Sequence, residues 1–208
     1  MNKQPNSPFE KYVEVTFERL VLAHLEDAAD QFSKASQEPL RLFLAARSVH
    51  LALMTALSAA MSGTDGIGAM PKSYREDWIT FFEDTRHGLR ETPPTRMLGF
   101  NAMLDRASQE RVGWFHKPLE LADETRSKLN RLTALRDWVE HPRPDHHFIE
   151  PEWIYEAIAP GVELTESCFS LVSHRLDEPD EERALSLLNQ LKIEISQTNK
   201  AGPRAGAS

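Results

Sequence analysis

Apolar residues return at three- and four-residue steps along nearly the whole chain, the period of an α-helix with one buried face. Phe9, Tyr12, Val13, Phe17, Leu20, Val21, Leu25, Ala28 and Phe32 make the first stripe. Ser36, Gln37 and Glu38 break it, and Pro39 suits the first turn of a second helix that carries Leu40, Phe43, Leu44, Leu51, Met54 and Leu57. The Ala- and Ser-rich middle of that helix allows close approach of a neighbour. Residues 63–71 read as a Gly-rich connector without a phosphate-cradling signature. Ser73 and Glu76 have capping-box spacing and predict a third helix bearing Trp78, Phe81, Phe82 and Leu89, stopped by Pro93 and Pro94. A shorter helix follows from Met97 to about Arg111, then a turn in which Trp114 and Phe115 staple the next helix. That fifth helix, predicted over residues 118–141, has Leu121, Thr125, Leu129, Leu132, Leu135 and Val139 on one stripe. Pro142 and Pro144 end it, because a residue before proline is pushed out of the α region. Two more helical stretches cover residues 151–174 and 179–197. No segment alternates with period two. The pattern predicts an all-α bundle of about five to seven helices, one domain over residues 9–197, with a flexible N-terminus (1–8) and a disordered tail (198–208).

Composition narrows the class without changing the fold. Of the 208 residues, 27% are charged and 40% hydrophobic, with a formal net charge of −8, as expected of a globular chain. No 18 apolar residues run uninterrupted and the first residues hold no apolar core of a signal, so a cytoplasmic protein without a membrane contact is expected. Cys168 is the single cysteine, which excludes an internal disulfide or a multi-cysteine metal site, and its apolar surroundings predict an inert thiol. The acidic balance argues against a general nucleic-acid coat protein and leaves room for a small basic cleft.

One segment concentrates chemistry: Arg136, Asp137 and His141 at the end of the best-formed helix. Asp137 and His141 stand four residues apart, so the carboxylate can fix the imidazole tautomer. The helix C-terminus favours a protonated ring. A charged guanidinium beside a tunable imidazole suits phosphodiester cleavage, with His141 moving protons and Arg136 neutralising charge on phosphate oxygens. Arg131 and Arg143 flank the segment and are candidate RNA-phosphate contacts. The spacing alone is weak. With 8 His in 208 residues, Arg-x4-His is expected by chance less than once, yet it also occurs at Arg19–His24 and Arg111–His116. Only Arg136–His141 puts a polar residue directly after the Arg and ends an amphipathic helix at a proline.

The stretch from Leu135 through Arg136, Asp137 and His141 to the proline-rich loop and the next helix resembles the signature region of HEPN domains. These are small all-α modules of prokaryotic defence and toxin–antitoxin systems. The resemblance implies a metal-independent endoribonuclease of toxin or defence type that needs no cofactor. It further implies a homodimer whose two Arg–His motifs share one cleft, with RNA as substrate and an antitoxin protein as partner. Trp138 and Glu140 stand where many members carry apolar or small residues, and Glu140 brings negative charge to the phosphate site. The alternative is a non-catalytic HEPN-like module that binds a protein or a nucleotide. An open shared cleft favours the first reading, and a site filled by Glu140 the second.

The remaining polar residues have plainer readings. Arg136 and Glu140, or Asp137 and His141, make an ordinary surface pair at a helix end. His141, Asp145, His146, His147 and Glu150 are metal-ligand types, but their spacing is not that of a helical site, so a solvated turn without metal is expected. His50 reads as a core or interface histidine. Trp114 and Phe115 have two readings, stacking on unpaired bases and, the plainer one, stapling the helix entry before Pro118.

Overall fold

The second helix, not the fifth, is the axis of the protein. In the computed structural model, which describes residues 15–84, 91–141, 144 and 148–201, helix α2 (Arg41–Ser62) packs against α1 (Phe17–Lys34), α5 (Asp123–Glu140), α6 (Pro151–Phe169) and α4 (Phe100–Gln109). Helix α7 (Glu178–Ala201) closes the bundle against α1 and α6, after a 3-10 turn at Ser173–Arg175. Helix α3 (Lys72–Glu83) buries none of its residues and carries Trp78, Phe81 and Phe82 in mutual ring contact. The described residues form seven α-helices and no strand, a packed all-α bundle.

The composition of α2 explains its place. Ala45, Ala46, Val49, Ala52, Leu53, Ala56 and Leu57 are fully buried, and small side chains let partners approach from several sides. The expected stripe of Leu40, Phe43, Leu44, Leu51 and Met54 lies at the margins instead, Leu40 being exposed. By length and average composition α2 is apolar enough to cross a membrane, although no 18 apolar residues run together; here it is wrapped by the other helices. Leu129, Leu132 and Leu135 of α5 meet it with no exposed surface. Gly161 completes the joint: a Cβ there would lie 2.6 Å from Leu132 Cδ2 and 3.0 Å from Val49 Cγ1, so a larger residue would make these core side chains shift.

Several boundaries differ from the sequence reading, each for a local reason. Helix α5 begins at Asp123 rather than residue 118, because the Leu119 N–H donates to the Ala107 carbonyl at the end of α4 (2.7 Å). Helix α4 begins at Phe100 rather than Met97, since the Leu98 N–H donates to the Ala69 carbonyl (2.9 Å). The capping box does not form: Pro71 takes the N-cap position, and Ser73 and Glu76 lie inside α3. Pro39 precedes α2 rather than opening it. Pro160 sits within a continuous α6, and α7 runs on to Ala201, so residues 198–201 are helical. Trp114 and Phe115 do not staple α5; the Trp114 N–H donates to the Ala60 carbonyl (2.8 Å) and pins the end of α2.

Candidate functional site

The last turn of α5 lies across the N-terminal half of α2, and polar residues of both helices line the joint. On α2, Arg47 and His50 are three residues apart and so share a face; on α5, Thr133, Arg136 and Glu140 do the same. Two rungs cross between them. His50 Nε2 lies 3.3 Å from Thr133 Oγ1, and Arg47 Nε lies 3.4 Å from Glu140 Oε1. Arg136 sits between the rungs. Its Nη1 donates to Glu140 Oε2 at 2.9 Å and lies 3.3 Å from Asp137 Oδ1. One carboxylate, Glu140, therefore receives two guanidinium groups from two helices.

Burial falls steeply along this seam. His50 is fully buried, with the Phe100 ring 4.7 Å from its own. The Arg136 and Glu140 side chains are 23% and 27% exposed, and Asp137 is 49% exposed. His141 is exposed and caps the helix, its N–H donating to the Asp137 carbonyl at 2.8 Å. With φ −130° and ψ 67° the backbone has left the helix there. No hydrogen bond joins the Asp137 carboxylate to the His141 ring among the described residues; that carboxylate faces Arg136 instead.

The electrostatics follow from these contacts. Partial desolvation raises the Glu140 pKa, but the hydrogen bond from Arg136 and the charges of Arg136, Arg47 and His141 outweigh it and hold the carboxyl below its usual range. Burial, then the nearby Arg136 charge, pushes His50 down to about 4 against weaker opposition from Asp137 and Glu140, so it is neutral near pH 7. The three buried side-chain polar atoms without a hydrogen-bond partner among the described residues are His50 Nδ1, Arg136 Nε and Trp114 Nε1. Two of the three lie in this seam, where each unsatisfied group costs about 1–3 kcal/mol.

The other expected site residues are placed less favourably. Arg131 is half-buried: its guanidinium lies 4.5 Å over the Trp153 ring and donates to Glu156 (2.9 Å). Arg143, like Asp145, His146 and His147 of the candidate metal group, lies outside the described residues. No metal-ligating cluster occurs among those described. Cys168 is buried, and burial pushes its thiol up to about 12, consistent with an inert residue. The Trp114 ring already carries Arg175 (5.4 Å) and His174 (6.2 Å). It lies near Ala60, about 20 Å along α2 from Arg47 at 1.5 Å per residue.

Sequence reasoning missed Arg47 and did not connect His50 to the motif. The available signal was a pair of polar residues, three apart, interrupting an otherwise apolar helix. Only the crossing of α2 and α5 gives that pair a partner. No family model, curated protein or solved structure matches this chain.

Proposed function

We propose that the open end of α5 is a phosphodiester site of HEPN type, and that the protein is a metal-independent endoribonuclease acting as a homodimer. The observation that carries this is the meeting of two guanidinium groups, Arg47 and Arg136, at the end of α5 beside the exposed His141; that Glu140 fills the place between them counts for the second reading below. A carboxylate held by two guanidinium groups occupies a position suited to a phosphate with two charge-assisted contacts. In the reaction, the 2′-hydroxyl oxygen of RNA attacks the adjacent phosphorus as its proton passes to a base. The P–O5′ bond breaks, and the leaving oxygen takes a proton from an acid. His141 and its counterpart on a second chain supply those two roles. Arg136 and Arg47 stabilise the charge on the phosphoryl oxygens. The products are a 2′,3′-cyclic phosphate and a 5′-hydroxyl. Asp137 acts on the Arg136 guanidinium rather than on the imidazole.

Glu140 decides how easily that site opens. An i,i+4 ion pair on a partly exposed helix is worth about 0.3–0.5 kcal/mol, and most exposed pairs stay below about 1 kcal/mol. A charge-assisted hydrogen bond to phosphate contributes about 1.5–3 kcal/mol. Substrate therefore displaces Glu140 at small cost. Cleavage of an unstructured RNA by wild type, Arg136→Ala, His141→Ala and Glu140→Gln tests this. Both alanine variants should lose cleavage and Glu140→Gln should bind RNA more tightly; full activity in either alanine variant defeats the proposal.

A second reading is favoured by the same carboxylate. Glu140 and Asp137 neutralise Arg136 within one chain, which suits a non-catalytic module that binds a protein or nucleotide elsewhere. It predicts no cleavage by any of these proteins, Glu140→Gln included.

A further inference from the structure

The far end of α2, about 20 Å along the helix from Arg47, borders a cavity of about 260 Å³ that the proposed reaction does not use. Met61, Ser62 and the connector after them line it, as do Gly113, Arg75 of α3 and Arg111 of the segment after α4. Close backbone approaches hold its walls in place. A Cβ on Gly68 would lie 1.8 Å from the Met61 carbonyl oxygen, and one on Gly113 would lie 2.4 Å from the same atom. Arg106 Nη1 donates to the Gly68 and Met70 carbonyls (3.1 and 2.7 Å) and ties the connector to α4. A preformed cavity of this kind lowers the ordering cost of binding. Its charge sets it apart. Every other described arginine except the exposed Arg96 has a carboxylate partner. The Arg75 and Arg111 side chains have no ion pair or hydrogen bond among the described residues, and both line this one small volume. Asp65 lines it too, but its Oδ1 accepts the Ile67 N–H at 3.2 Å and it pairs with neither arginine. The end of α2 favours cations here, yet its Ala60 and Ser62 carbonyls are already taken by the Trp114 and Gly66 N–H groups (2.8 and 3.1 Å).

We propose that this cavity is an anion site that takes the phosphoryl group of a small phosphate monoester on Arg75 and Arg111. A dianionic phosphoryl group matches two guanidinium charges, and its three terminal oxygens can accept from two forks that arrive on separate elements. A carboxylate offers one charge and two oxygens, which a single fork satisfies. The Thr64 hydroxyl, which lines the cavity and makes no hydrogen bond among the described residues, adds a further donor. The volume falls below the roughly 300–1,000 Å³ of pockets for drug-sized ligands. It therefore suits a phosphoryl group with a short carbon body rather than a nucleotide or an RNA strand. The site stands apart from the α5 seam and does not depend on the function proposed there.

The test follows the arginine Nε–H resonances of the full chain by ¹⁵N NMR during titration with inorganic phosphate, glycerol phosphate or acetate at constant ionic strength. Arg75→Gln, Arg111→Gln and Arg96→Gln assign the three resonances by their disappearance. Inorganic phosphate and glycerol phosphate should shift the Arg75 and Arg111 signals along one saturating curve and leave Arg96 unmoved. Losing either arginine should weaken binding about tenfold or more, the size of a hydrogen bond to a charged group. Glycerol phosphate should bind the tighter of the two; equal affinity assigns the site to free phosphate and overturns the monoester. Shifts that stay linear in phosphate and are shared by Arg96, or acetate binding as tightly as phosphate, overturn the anion site itself. Neither side chain holds anything in the fold, so both variants should keep the wild-type melting temperature. Should one unfold, the wild-type titration of the remaining assigned arginine against Arg96 decides. These readouts need no RNA, so a chain that binds phosphate here and cleaves nothing keeps the site and loses the nuclease.

Discussion

At the residue scale, two side chains beside Arg136, His50 and Glu140, are shifted from their usual titration ranges. His50 is neutral in the folded protein, with a pKa of about 4 against 6.5 when solvated. Between those values the unfolded chain binds more protons than the folded one, so stability rises with pH. The contribution is complete above pH 6.5 and is lost as the pH falls toward 4, a change on the order of 3 kcal/mol. Urea denaturation at pH 7 and pH 4.5 should show this slope in wild type and a shallower one in His50→Gln; identical slopes would mean that His50 does not titrate on unfolding. Glu140 works in the same direction lower down. Its depressed pKa adds stability above the usual carboxylate range that is lost as the pH falls through the folded value, a small effect for a partly exposed pair. On the function proposed above, Glu140→Gln should tighten RNA binding severalfold, by about 1 kcal/mol or less. Glu140 was legible as part of the candidate site, whereas Arg47 and His50 were not. Arg47 and His50 acquire meaning only from Thr133, Arg136 and Glu140, more than 80 positions away, and a local motif cannot contain such a partner.

At the scale of the element, the sequence pattern marks which segments are helical, and contacts between segments decide where they start. The stripe of Leu129, Leu132 and Leu135 was readable because period and burial agree. The start of α5 was not, because the Leu119 N–H is taken by a carbonyl of α4 rather than by a helical turn. The same limit applies to α2, whose apolar residues continue round most of the helix, so that a stripe cannot be drawn from sequence alone. Close approaches give sharper tests. Gly113 has φ +57°, and a Cβ there would lie 2.2 Å from the Ala60 carbonyl oxygen, whereas a Cβ on Gly99 meets nothing within 4 Å. Gly113→Ala should lower stability by about 2 kcal/mol or more, and Gly99→Ala, at an N-cap with open space around it, by about 0.5–1 kcal/mol. Comparable melting temperatures for the two would contradict the packing at the end of α2. Leu132→Ala should cost about 2–5 kcal/mol in denaturant titration, as it empties the space between α2, α5 and α6.

For the whole molecule, the net charge of −8 and the two arginines of the candidate site bound how the proposed RNA binding would respond to salt. Two guanidinium groups per chain, Arg47 and Arg136, give a dimer at most four phosphate contacts of this kind. The slope of log affinity against log salt for single-stranded RNA should then be no steeper than about −3. A much steeper slope would mean a basic surface elsewhere. Whether Arg47, Arg136 and the exposed His141 make an RNA-cleaving site is decided by the ends of the product. Wild type and Arg136→Ala are incubated with RNA in EDTA, and the 3′ termini are identified by mass spectrometry. The expected outcome is 2′,3′-cyclic phosphates from wild type and intact RNA from Arg136→Ala. Intact RNA from a folded wild-type protein, or cleavage that persists in Arg136→Ala, would contradict it.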